Sequence, residues 1–106
     1  MVILKNGEYY LGTNVENASY GLTNCAERTA LFSAYANGVR SGDIEELVIL
    51  ARSNDLVYPC GACRQVIVEL MEMDSTITLI NLDKVSKSIK VKDLMPYIFS
   101  ERDLHE

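Results

Sequence analysis

An α/β domain, a sheet with helices packed against it, is the fold class this 106-residue chain predicts, and three features predict it. Short runs rich in Val, Ile and Leu alternate with stretches of helical periodicity in the order β-β-α-β-α-β, followed by a small tail. Asn6-Gly7 stands between two apolar runs, the strongest short signal for a hairpin. Two stretches, "NCAER" and "PCGAC", carry helix-start residues. The length suits one domain over residues 1–106.

The elements follow in order. "VILKNGEYYLGTNV" reads as the hairpin, with positive φ expected at both Asn6 and Gly7, and with Tyr9, Leu11 and Thr13 alternating against Tyr10, Gly12 and Asn14. "VENASYGLT" is a loop. Asn24 is placed to cap a helix reaching about Asn37; Ala26, Ala30 and Ala34 form one apolar stripe on it and Leu31 and Tyr35 another, with Gly38 as its stop. "ELVILAR" has the unbroken apolar character of a strand buried on both faces. Pro59 opens a second helix, "CGACRQVIVELME". "TITLINL" is a further strand, and "SIKVKDLMPYIF" reads as a short strand followed by a short helix.

Composition excludes several functions. The net charge of −5 and the lack of any basic tract argue against binding nucleic acid through its phosphates. The longest apolar runs are about strand length, short of the ~20 residues a membrane helix needs. Met1 leads straight into "VILKNG" with no basic start, so no signal peptide is expected and the cytoplasm is the default location. Three cysteines cannot all pair in disulfides, which favours metal binding or catalysis.

Those cysteines sit where such chemistry is easiest. Cys60 and Cys63 lie i, i+3 on the first turn of one helix, and Cys25 begins the other. A helix N-terminus favours the thiolate. Zinc takes four ligands, usually Cys or His, and the single histidine, His105, lies beside the C-terminus. Three thiolates and one open position match a catalytic zinc with water in the fourth place. Three negative ligands on a doubly charged ion oppose ionisation of that water, so positive groups are expected close by; Arg28 and Arg64 follow the two motifs, and at least one of them is expected to bond ligand sulfurs. Glu27, alone, reads as the third member of a capping box begun by Asn24. Beside a zinc-held water it reads as the group that takes and returns a proton. A thioredoxin-like redox pair or a purely structural zinc site would explain Cys60 and Cys63, but the first leaves Cys25 and Glu27 idle and the second lacks a fourth ligand.

"CAE" at Cys25–Glu27 joined to "PCGACRQ" at Pro59–Gln65 resembles the zinc-dependent cytidine deaminases, a class whose signature is a His or Cys first ligand, a non-ligand Glu and a later Pro-Cys-x-x-Cys. "NVENASYGLTNCAERTA" and "DLMPYIF" extend the resemblance over almost the whole chain, and toward the small homotetrameric, three-cysteine branch. The resemblance implies a three-layer α/β/α fold with a mixed sheet. It implies zinc on Cys25, Cys60 and Cys63, attack of the activated water on C4 of cytosine, and Glu27 carrying protons to N3 and to the departing amine. The implied products are uridine or deoxyuridine and ammonia, and the implied setting is pyrimidine salvage. Asn14 and Glu16 would hold the ribose 3′-hydroxyl; they face one side of an extended segment and together accept and donate. The backbone of Ala26 would meet the base edge. Ala18 and Tyr20 would reach a neighbouring subunit's site, and Phe99 would pack over a neighbour's base. The implied partners are a small nucleoside and copies of the chain itself.

Family members of this kind usually begin with a helix and a strand bearing a phenylalanine; this sequence starts partway into that strand. A bare apolar surface and weaker base binding are the expected consequences. A deaminase of cytosine-like nucleoside antibiotics such as blasticidin, and a non-catalytic zinc-binding relic, are the rival readings, and "NVENASYG" favours the ordinary nucleoside enzymes over the first.

Overall fold

The computed structural model describes residues 1–13, 26–51, 54, 56 and 58–94. Its centre is a five-stranded mixed sheet in the order β2-β1-β3-β4-β5. The strands are β1 (Val2–Leu4), β2 (Tyr9–Tyr10), β3 (Ile44–Leu50), β4 (Thr76–Ile80) and β5 (Ser86–Lys90). Among the described strands only β3 and β4 run parallel, from Glu46 opposite Thr76 to Leu50 opposite Ile80. The other neighbours are antiparallel. A parallel pair needs a crossover, and helix α2 (Gly61–Leu70) supplies it.

The β1–β2 hairpin forms where Asn6-Gly7 predicts it, but with a different turn. Gly7 alone has positive φ, at 91°. Gly7 N–H donates to Leu4 C=O at 2.9 Å and Leu4 N–H donates to Glu8 C=O at 2.8 Å. That is a type I turn closed by a glycine in the left-handed region, which leaves Asn6 at negative φ with its Oδ1 accepting from Glu8 N–H at 2.9 Å. Pairing ends at Tyr10, short of the expected Asn14.

Helix α1 (Ala26–Ala36) buries Ala30, Leu31 and Ala34, the faces its periodicity marks out. Its end is a Schellman motif: Val39 N–H donates to Ala34 C=O and Gly38 N–H to Tyr35 C=O, each at 3.1 Å, with Gly38 at φ 91°. Arg40 then lays its guanidinium on the carbonyls of Tyr35 (3.2 Å) and Val39 (2.6 Å), a cation at the negative end of the helix.

Strand β3 departs from expectation. Leu47 and Ile49 are buried, but Leu50 is 69% exposed, so its two faces differ. The reason is that α1 and α2 lie on the same side of the sheet and touch each other. They cover Val2, Leu4, Leu47, Ile49, Ile77 and Leu79, while Ile3, Val48 and Ile80 on the other face are only half-buried. No helix covers that second face among the described residues, so one outer layer of the expected three is seen. Pro59 also falls earlier than expected: Cys60 is the N-cap of α2 and Pro59 precedes it. After β5 a 3-10 turn, Val91–Asp93, packs on α2. The expected final helix and Phe99 lie outside the described residues, as does the Asn24 cap.

Candidate metal centre

Connections fix where the helix starts point. Helix α1 ends at Ala36 and passes through a 3-10 turn at Ser41–Asp43 into β3; α2 ends at Leu70 and β4 begins at Thr76. Both helices therefore run opposite to β3 and β4, with their N-termini toward the carboxyl ends of those strands. That edge is where open α/β sheets bind ligands.

At the start of α2 the backbone makes a thiol cap. Cys60 is extended at φ −65° and ψ 169°, and its Sγ accepts from Cys63 N–H at 3.4 Å. The two sulfurs approach to 3.3 Å, far beyond a disulfide bond length of about 2.05 Å, so they are two separate thiols converging on one point. Cys63 is fully buried and Cys60 exposed, one sulfur at the floor and one at the rim. Convergent thiols on a positive helix end are the donor chemistry of a soft metal such as zinc, which the residues present fit. No third His, Cys, Asp or Glu joins them among the described residues. Cys25, the remaining cysteine, lies outside those residues, next to Ala26 at the opening of α1.

Glu27 stands in the first turn of α1 and is half-buried. Its charge reaches the amino group of Met1, which donates to Val48 C=O at 2.8 Å. Burial pushes that amine below its ordinary value, and the Glu27 carboxylate opposes the shift.

The arginines have distinct settings. Arg64 Nε donates to Pro59 C=O at 2.8 Å and a terminal guanidinium nitrogen donates to Leu94 C=O at 3.2 Å. Its fork ties the peptide before Cys60 to the turn after β5. Arg28 is half-buried, with Nε screened from solvent. Ala26 is half-buried at the first position of α1. Asn14, Glu16, Ala18, Tyr20 and Phe99 lie outside the described residues.

Sequence reading missed the Leu94 carbonyl and the pair beside it, Lys87 and Tyr58. The Lys87 ammonium donates to the Tyr58 hydroxyl at 3.1 Å and sits 5.8 Å from the ring centroid. Nothing in the local sequence pairs a residue of β5 with one before α2; only the sheet register brings them together.

Residues 1–79 match the family described as the cytidine and deoxycytidylate deaminase zinc-binding region. A cytidine deaminase of Halalkalibacterium halodurans is 46% identical over 105 residues, covering 99% of this chain and 78% of that protein. One from Sporosarcina psychrophila is 43% identical, covering 97% and 74%. Among solved structures, the cytidine deaminase of Burkholderia pseudomallei superposes with a TM-score of 0.88 at 43% identity, covering 92% of this chain and 77% of that one. The cytidine deaminase of Mycobacterium tuberculosis gives 0.69 at 29% identity, covering 93% and 75%. With its converging thiols, its Glu27 at the head of α1 and this extent of similarity, the chain belongs to the zinc-binding cytidine and deoxycytidylate deaminase family.

Proposed function

We propose that the chain hydrolyses the exocyclic C–N bond of cytidine or deoxycytidine, consuming one water and releasing uridine or deoxyuridine and ammonia. The observation that carries this reading is the pair of thiols converging at 3.3 Å on the N-terminus of α2, in a chain whose first 79 residues match the family's zinc-binding region. Cys60, Cys63 and Cys25 hold the metal. Zinc, when bound, supplies the Lewis acidity that makes water a nucleophile near neutral pH.

The chain's own residues do the rest. Glu27 accepts the proton of the attacking water, delivers it to N3 of the pyrimidine, and serves the departing amine in the same way. A positioned acid-base group of this kind contributes about 10²–10⁴-fold. The Ala26 backbone orients the base edge. Asn14 and Glu16 hold the 3′-hydroxyl of the sugar. Arg64 fixes the Pro59 carbonyl, so the Cys60–Cys63 turn keeps its shape while substrate enters. Arg28 adds positive charge at the start of α1, countering the excess negative charge of three thiolates. Ala18, Tyr20 and Phe99 complete the site of a neighbouring copy in a homotetramer, and the setting is pyrimidine salvage in the cytoplasm. No helix among the described residues is long and apolar enough to cross a membrane.

The test is loss of cytidine and deoxycytidine absorbance by the purified chain, with zinc counted in the same sample and blasticidin assayed alongside. Turnover of the nucleosides at about one zinc per chain supports the reading. A chain full of zinc and inert toward every cytosine nucleoside refutes it, and preference for blasticidin replaces it with the antibiotic-deaminating activity.

A further inference from the structure

The segment after β2 runs against the beginning of α1 so tightly that only glycine fits at residue 12. A Cβ built there would stand 2.4 Å from the Ala26 carbonyl oxygen, 2.5 Å from the Ala30 amide nitrogen and 3.0 Å from the Ala30 Cβ. The first two atoms are the acceptor and donor of one i→i+4 pair, the first with both members inside α1 as it runs from Ala26. They are backbone atoms, so a side chain at position 12 has no flexible group to displace and must push the helical turn itself. That turn carries Glu27 between its two ends.

We infer that Gly12 is the positioning residue for Glu27: its bare α-carbon lets the chain press on the first hydrogen-bonded turn of α1 and so sets how far the carboxylate reaches toward the substrate. The role rests on the deaminase reading for its catalytic consequence, though the clamp is a property of the fold. First turns ordinarily fray, because half their hydrogen-bonding groups lack helical partners. Here the turn is covered: Ala30 is fully buried. Catalytic groups displaced by about 1 Å lose on the order of 10²-fold in rate. Gly42 serves as the comparison, since its Cβ would meet nothing nearer than Glu72 Oε1 at 4.0 Å.

The experiment compares the full chain with its Gly12→Ala and Gly42→Ala variants. It reads zinc per chain, kcat and KM for cytidine, and amide hydrogen exchange resolved at Ala30. The expected result for Gly12→Ala is kcat per bound zinc reduced on the order of tenfold or more, KM changed much less, and faster exchange at Ala30 while the β3 amides stay protected. Gly42→Ala is expected to match the parent chain. A merely destabilising glycine replacement would lower the melting temperature and leave zinc-normalised kcat alone. Unchanged kcat per zinc, or unchanged exchange at Ala30, overturns the inference. Should the parent chain prove inactive on cytosine nucleosides, the functional reading fails and exchange at Ala30 alone judges the clamp. Should Gly12→Ala not fold, the parent chain decides: protection at Ala30 equal to the middle of α1 supports the clamp, and exchange at the rate of a frayed end overturns it.

Discussion

Arg64 shows how one side chain shapes a site it does not enter. Its guanidinium bonds the Pro59 and Leu94 carbonyls, two acceptors set 35 residues apart in the chain but on either side of the same helix start. Lysine offers a single point of charge and cannot span both. An Arg64→Lys variant is therefore expected to fold but to surrender zinc to a chelator about 10–100-fold more readily, as groups supporting metal ligands do. Unaltered zinc retention in a competition titration would remove Arg64 from the site. Cys63 has a stricter requirement. Fully buried, it has no solvent to replace a lost partner, so Cys63→Ser is expected to abolish zinc binding, read by metal analysis.

Between elements, Tyr35 ties the two helices together. Its hydroxyl donates to Leu70 C=O at 2.7 Å, joining the late turns of α1 and α2. Burial pushes its pKa above the ordinary value of 10.0, with the neighbouring Arg40 opposing. The neutral phenol is the form that the fold prefers. Its contribution is thus intact below the ordinary tyrosine range and is lost as pH rises through the raised folded value. Tyr35→Phe is expected to cost about 1 kcal/mol at neutral pH and to flatten the loss of stability above pH ~10. Denaturant titrations at both pH values check this; an equally steep alkaline loss in the variant would show that another group is responsible.

At the scale of the whole molecule, the helices among the described residues cover one side of the sheet, and on the other side Leu50 is 69% and Tyr9 61% exposed among half-buried neighbours. The metal is expected to carry part of the stability, because ions held by converging thiols add bonds that the folded state has and the unfolded chain lacks. Stripping zinc with a chelator should lower the melting temperature by several degrees and restoring it should recover them; scanning calorimetry that shows no change would mean that the site is preformed without metal. Light scattering of the zinc-loaded chain is expected to give the mass of a tetramer.

Much of this was legible in the residues themselves. The Asn6-Gly7 turn, the alanine stripe of α1, the Gly38 stop and the Cys60–Cys63 spacing are local patterns, and local patterns survive folding. What escaped were effects of contact between distant segments. The one-sided burial of β3 depends on which face the helices choose, which an apolar run does not encode. The turn type at Gly7 depends on one extra residue in the hairpin. Arg64 was placed at the site by its position beside Cys63, yet its partners are carbonyls, because the chain after β5 comes within reach only once the sheet is assembled. Cys25, Asn14 and Glu16 were named by motif and lie outside the described residues.

The most direct measurement is the zinc content and cytidine turnover of the Glu27→Gln variant beside the parent chain. If the carboxylate moves the proton and the cysteines hold the metal, zinc stays at about one per chain while kcat falls by ~10²-fold or more. Full turnover in the variant, or loss of zinc along with activity, would contradict the assignment of proton transfer to Glu27 and of metal binding to the three thiols.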